Sequence, residues 1–466
     1  MNNPKKLSNQ TLFWQSQDAD HHLHPFTPHP DLKRRGVRMI THADGVYLYD
    51  SEGAKLLDGM AGLWCTQLGY GNDELVEAAT TAMKTLPYYN LFFNTSTPSA
   101  TELAAKIAEK TPGDISRIFF ACSGSEAVDS AYKLVKYYWN LKGQPERKQF
   151  IAREGGYHGS TTVAASLTGL SGMHPQFDLP LEGIHHVGPM PCYFTNGAGM
   201  TEEEFTDKCV KALEDKILEI GPEKVAAFVG EPVLGAGGMR PPPVGYWPKV
   251  EALCRKHGIL LWADEVICGW GRTGNWFGSQ TYGITPDIIT MAKGMSSGYM
   301  PISAVGLGGD IAETIANSDE EMVHGFTYSG HPVACAVALK NIEILERDGL
   351  VGEPAKDRMD YFQTRIQTLE DHPLVGEVRS IGWLGALEIV QNKSTRKIFD
   401  SDLNVGFRCR EHCFNNGLVM RSVGDTMIIC PPLIISKEEI DELVEKARYA
   451  LDRTLDELGT MEVKIA

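Results

Sequence analysis

Ile259-Leu260-Leu261-Trp262-Ala263-Asp264-Glu265 is an apolar run that stops abruptly at two carboxylates. Further along, Ile288-Ile289-Thr290-Met291-Ala292-Lys293-Gly294 is a second such run, closed by an amine. Each reads as a buried strand with an ionisable side chain at its carboxyl end, and open parallel sheets bind ligands at that edge. An acid and an amine delivered to one crevice suit pyridoxal phosphate (PLP). Lys293 would join the cofactor covalently, and Asp264 would keep the pyridine nitrogen protonated. Taken singly, a strand-end Asp and a surface Lys remain equally open readings.

Outward from these runs the chain alternates strand and helix patterns. Further strands are predicted over Arg117–Ala121, Gln149–Ala152, Val225–Val229 and Ser303–Leu307, with helices over Ser125–Trp139 and Glu202–Ile220. Such alternation predicts a mostly parallel sheet with helices on both faces. After about residue 335 the texture changes. Helical stretches over Pro332–Asp348, Pro354–Glu370 and Lys437–Leu458 flank short strands near Gly385–Val390 and Met427–Cys430, as in an α+β unit. The predicted organisation is a segment 1–65 packing with the small domain, a large domain 66–335 and a C-terminal small domain 336–466. Val46–Asp50 followed by Ser51-Glu52-Gly53 reads as a hairpin. His21-His22-Leu23-His24 suggests either metal ligands or an irregular arm on the surface or on a neighbouring subunit. The arm is the expectation, and no metal is predicted.

At 466 residues the chain is long enough for two domains. Its formal charge of −16 argues against nucleic acid or an anionic membrane as partner. The ten cysteines show no CxxC pairing and fit reduced, structural thiols. Cys409 and Cys413 have the spacing of one helix face. The polar start, Met1–Gln17, does not read as a secretory signal, and no stretch approaches the roughly 20 apolar residues of a membrane span. A soluble, cytoplasmic protein is expected.

Cys122-Ser123-Gly124-Ser125-Glu126-Ala127 follows a predicted strand and opens a helix. Small residues at a helix start leave backbone N–H groups free for a phosphate, although an ordinary serine cap reads the same way. Gly155-Gly156-Tyr157-His158-Gly159 leaves room for an aromatic ring to lie against a planar ligand; a glycine turn with a packed Tyr is the alternative. Neither GxGxxG nor GxxxxGK[ST] occurs at a helix start, which counts against dinucleotide and nucleotide readings.

Four pieces in this order, each at a strand end, resemble the class III aminotransferases of PLP fold type I, from about Asp31 to Leu458. The most specific stretch is Trp262-Ala263-Asp264-Glu265-Val266-Ile267-Cys268-Gly269-Trp270-Gly271-Arg272-Thr273-Gly274, with Pro286-Asp287-Ile288 and Ala292-Lys293-Gly294 behind it. The segment Phe326-Thr327-Tyr328-Ser329-Gly330-His331-Pro332 also falls in the family's order.

The resemblance implies roles for particular residues. Lys293 would hold the cofactor and, once released, move a proton, while Asp264 would pair with the ring nitrogen. Val266 and Tyr157 would sandwich the ring, and Gly124 and Ser125 would cup the phosphate. Thr327 would reach the phosphate of the other subunit, implying a homodimer or a dimer of dimers. Trp64, Phe92, Phe93 and Arg421 match pocket positions of the branch that uses pyruvate. Its arginine binds the substrate carboxylate and swings away from an amine that has none. Within Glu231-Pro232-Val233-Leu234-Gly235-Ala236, relatives that use 2-oxoglutarate carry a glutamate where this chain has Ala236. The implied function is ping-pong transfer of an amino group from a primary amine or ω-amino acid to pyruvate, with pyridoxamine phosphate as the intermediate cofactor state. The alternatives are a 2-oxoglutarate-dependent diamine or ω-amino acid aminotransferase, a glutamate-semialdehyde-type aminomutase, and a PLP-binding regulator. Retention of both Lys293 and Asp264 speaks against the regulator.

Overall fold

The computed structural model of the chain describes residues 7–465. The chain opens with β1 (Ile40–Asp44), β2 (Tyr47–Asp50) and β3 (Lys55–Asp58). The central strands are β4 (Arg117–Ala121), β5 (Gln149–Arg153), β6 (Ile184–Val187), β7 (Val225–Gly230), β8 (Leu260–Asp264), β9 (Ile288–Met291) and β10 (Ser303–Leu307). The last strands are β11 (Val375–Ile381), β12 (Leu384–Ile389), β13 (Leu418–Val419), β14 (Arg421–Val423) and β15 (Thr426–Ile429).

The central sheet has the order β4-β10-β9-β8-β7-β5-β6. All its neighbours are parallel except β10, which runs antiparallel to both β4 and β9. This is the mostly parallel sheet that the strand–helix alternation predicts. Alternate residues of one strand face opposite layers. Phe150, Val229 and Trp262 pack with Val128, Ala131 and Val135 of the helix Gly124–Leu141. Ile151, Phe228 and Leu261 face the helices Glu202–Ile220 and Tyr246–His257. Burial on both faces explains why these strands read as unbroken apolar runs.

Near the C-terminus, β11-β12-β15-β14 form an antiparallel sheet flanked by the helices Lys356–Gln367, Val405–Asn415 and Lys437–Thr460. The first strands join this end of the chain: β1 and β2 form an antiparallel pair, β2 pairs with β3, and β3 lies parallel to β13, with Leu57 opposite Leu418. All ten cysteines are free, and Cys409 and Cys413 are buried on one helix. Among the described residues, no helix is long and apolar enough to cross a membrane.

Two details differ from the sequence reading. The arm is not irregular: Asn9–His21 and His29–Arg35 are helices. The first carries one buried residue, Thr11, so apolar periodicity could not reveal it. Ser8 caps it by accepting from the Thr11 amide at 3.2 Å and anchors it by donating to Glu52 at 2.9 Å. The edge strand β6 also escapes the pattern, because His185 and His186 interrupt its apolar residues.

Candidate active site

The parallel register sets Asp264, the last residue of β8, opposite Thr290 of β9. Three residues past Thr290, Lys293 turns into the left-handed region at φ +47° and starts a short 3-10 turn. Such backbone is costly for a side-chain-bearing residue and concentrates at functional positions. Gly294 leaves room for Gln67: a Cβ there would lie 1.7 Å from Gln67 Nε2 and would displace that side chain. Its carbonyl accepts from Asn341 Nδ2 at 2.9 Å, which fixes the turn. Burial holds the Lys293 amine below the usual lysine range, with the Asp264 charge pulling the other way.

Asp264 is 2% exposed. It accepts from His158 Nδ1 at 2.7 Å, Thr290 Oγ1 at 3.1 Å and the Val266 amide at 3.2 Å. The His158 nitrogen facing the carboxylate therefore carries the ring proton, while the buried Nε2 has no partner among the described residues. In the sequence His158 stands only as a member of its glycine-rich motif, with no role of its own. The signal available was a histidine inside a glycine-rich turn, next to the strand-end acid only in space. Glu231 was likewise only part of a motif. Its buried carboxylate accepts from the amides of Tyr157 and Gly235, both at 2.9 Å, and burial pushes it above the usual carboxylate range. It thereby fixes the backbone that carries the Tyr157 ring.

A cavity of about 380 Å³ opens at this strand edge, a size that suits a small ligand. Gly124, Ser125, Tyr157, Asp264, Val266 and Lys293 all line it. The helix Gly124–Leu141 points its positive end into the cavity, and Ser123 caps it by accepting from the Glu126 amide at 3.2 Å. Among the described residues, no acceptor lies on the Gly124 and Ser125 amides. The cradle is close-fitting: a Cβ at Gly159, which has φ +139°, would lie 2.5 Å from Ser125 Oγ. Free helix-start amides, a buried acid and an amine whose pKa is lowered match the phosphate, ring nitrogen and aldehyde of PLP, so the donor set fits that cofactor.

The predicted pocket residues divide. Trp64 follows β3 on a turn clamped by buried Asp58, which accepts from the amides of Met60 at 3.0 Å and Gly62 at 2.6 Å. The Trp64 ring has Lys293 Nζ at 5.9 Å and the Arg421 guanidinium at 4.9 Å from its centre. Arg421, the first residue of β14, is half-buried. No carboxylate pairs with it among the described residues, and burial lowers its pKa. Ala236 is buried with Trp64 and Ile428 in an apolar cluster. Phe92, Phe93 and Thr327, by contrast, are not brought to this cavity within one chain. Phe93 is 89% exposed and Thr327 is exposed, its carbonyl accepting from Tyr88 Oη at 2.7 Å.

Residues 32–451 match the family described as aminotransferase class-III. The chain is 52% identical over 445 residues to a putrescine–pyruvate aminotransferase of Pseudomonas aeruginosa, covering 96% of this chain and 97% of that protein. It is 41% identical to a diaminobutyrate–2-oxoglutarate transaminase of Halomonas elongata, covering 94% of each. Among solved structures, an omega transaminase from Pseudomonas jessenii in complex with PMP superposes with a TM-score of 0.93 at 43% identity, covering 96% of this chain and 99% of that one. The chain belongs to the class III aminotransferases. It is a PLP-dependent aminotransferase of fold type I.

Proposed function

We propose that this enzyme transfers the amino group of a primary amine, diamine or ω-amino acid to pyruvate, giving alanine in a ping-pong reaction. The observation that carries this reading is Arg421, which lies against the Trp64 face with no acidic partner among the described residues. Its unpaired guanidinium is free to bind the carboxylate of pyruvate bidentately, and it can turn away from an amine that has no carboxylate. Ala236 supports pyruvate over 2-oxoglutarate, since its methyl group cannot neutralise an arginine. The 52% identity to the putrescine–pyruvate enzyme, against 41% to the diaminobutyrate–2-oxoglutarate enzyme, supports the same choice.

In this reading PLP supplies the electron-accepting ring that lets an amine and a keto group exchange. Lys293 would hold the cofactor and, once released, take up and hand on the proton of the substrate carbon that bears the amine. Asp264 keeps the ring nitrogen protonated, with the donated proton of His158 orienting its carboxylate. Tyr157 and Val266 hold the ring between them, and the Gly124 and Ser125 amides hold the phosphate. Trp64 shapes the pocket against the donor chain. Phe92, Phe93 and Thr327 complete the cavity of a second copy in a homodimer.

The test supplies putrescine with either pyruvate or 2-oxoglutarate and follows alanine and glutamate. Alanine should dominate and require added pyruvate. Faster glutamate formation would instead assign the 2-oxoglutarate branch, and isomerisation of glutamate semialdehyde without any keto acid would assign an aminomutase.

A further inference from the structure

The N-terminal arm carries a second cluster with chemistry of its own, far in sequence from the cofactor cavity. Asp18 lies in the last turn of the helix Asn9–His21, and His22, four residues on, is the residue that caps its end and donates its amide to the Asp18 carbonyl. At His22 the backbone becomes extended, and the chain doubles back to bring His24 onto the same carboxylate. His22 Nδ1 lies 3.2 Å from Asp18 Oδ1, and His24 Nε2 lies 2.9 Å from that same oxygen and 2.8 Å from Oδ2. The two imidazole rings lie 4.1 Å apart, centre to centre.

We propose that Asp18, His22 and His24 form a binding site for one divalent transition-metal ion of the zinc type. Two imidazoles and one carboxylate are a usual three-ligand set for zinc, with water in the fourth position. Zinc bonds of about 2.0–2.2 Å in a tetrahedron place neighbouring donor atoms about 3.3 Å apart. The Asp18–His22 pair is already at that separation, and the His24 contact has to lengthen by only about half an ångström. Soft-to-borderline imidazole donors select zinc or copper over magnesium, which prefers oxygen ligands.

The surroundings allow the ion. A cavity of about 400 Å³ between the two arm helices is lined by Gln15, Asp18, His22 and His29, leaving room for the water ligand. Lys33, Arg34 and Arg35 also border it, but Arg34 and Arg35 pair with Asp31 and Arg35 also lies 3.9 Å from Glu411, so two carboxylates offset the two guanidinium charges. Bound there, the ion would tie the last turn of the first helix to the extended segment behind it. A metal held by residues brought together only in the folded arm stabilises that arm.

Tag-free holoenzyme, washed with chelator, is titrated with zinc chloride in a calorimeter, with magnesium chloride as control. One saturable zinc site per chain is expected, weakened more than about tenfold by either His22→Ala or His24→Ala. The visible cofactor band of each variant checks that the protein remains folded. X-ray absorption at the zinc edge should show nitrogen and oxygen ligands. Absence of a saturable site, an unchanged affinity in both variants, or sulfur ligation by one of the ten free cysteines would overturn the assignment.

Discussion

Replacing Arg421 with alanine separates substrates that carry a carboxylate from those that do not. In the structure the guanidinium packs 4.9 Å from the Trp64 ring centre, and no acid among the described residues pairs with it. Bound pyruvate would supply the missing anion. Truncating one partner of a fully desolvated charge pair costs about 2–5 kcal/mol. Arg421 is only half-buried, so solvent screening confines the expectation to the lower end, about 2–3 kcal/mol. That corresponds to a loss of roughly 30- to 150-fold in kcat/KM for pyruvate and for alanine. A simple alkyl or aryl amine makes no such pair. Its half-reaction should lose only the packing of the arginine stem and the cation–π contact with Trp64, about 1 kcal/mol. The assay is single-turnover bleaching of the cofactor band, with alanine compared with a plain amine, in wild type and Arg421→Ala. Equal losses for both donors would show that Arg421 supports the fold or the cofactor instead of reading the carboxylate.

Three further outcomes follow from the same geometry. Asp264→Asn should keep cofactor bound but lower turnover by orders of magnitude, because a charge pair a few ångströms apart at an effective dielectric near 20 is worth about 4 kcal/mol; near-normal turnover would assign the ring nitrogen to another residue. Thr327→Ala should weaken PLP affinity while leaving the single-chain fold intact, and active monomers in sedimentation under assay conditions would refute a shared site. Buried Glu265 accepts from the Gly278 and Ser279 amides and from Ser279 Oγ, yet burial pushes it from 4.5 up to about 7. Its folded pKa lies above its unfolded one, so its contribution to stability is full below about pH 4.5 and is lost as pH rises through about 7, by about 3 kcal/mol in all. Urea unfolding at about pH 5 and about pH 8 should show that loss in wild type and a smaller one in Glu265→Gln; identical slopes would contradict it.

The sequence makes the sheet and its cofactor edge readable because parallel strands buried on both faces must be apolar throughout, so the residue that breaks each run marks its ligand-binding end. Asp264 and Lys293 stand out for that reason. The helix Glu202–Ile220 is predicted to the residue because a reciprocal cap between Thr201 and Glu204 fixes its start and Gly221 ends it. Features held by long-range contacts leave no local trace. The helix Asn9–His21 is anchored through Ser8 on Glu52, and His158 finds Asp264 only because β5 and β8, with β7 between them, end on the same edge of the sheet. Nor does periodicity indicate that Trp64 and Arg421, which lie on opposite ends of the chain, meet over one amine. Phe92, Phe93 and Thr327 are a different case: within one chain they do not reach the cavity, and only the proposed homodimer would bring them to it.

The central claim is that Lys293 carries the cofactor. Borohydride treatment of the yellow holoenzyme should bleach its visible band and fix the pyridoxyl group to a single lysine. Peptide mapping is predicted to find that label on Lys293, with none formed in Lys293→Ala. A label on any other lysine, or one that persists in the variant, would contradict the account.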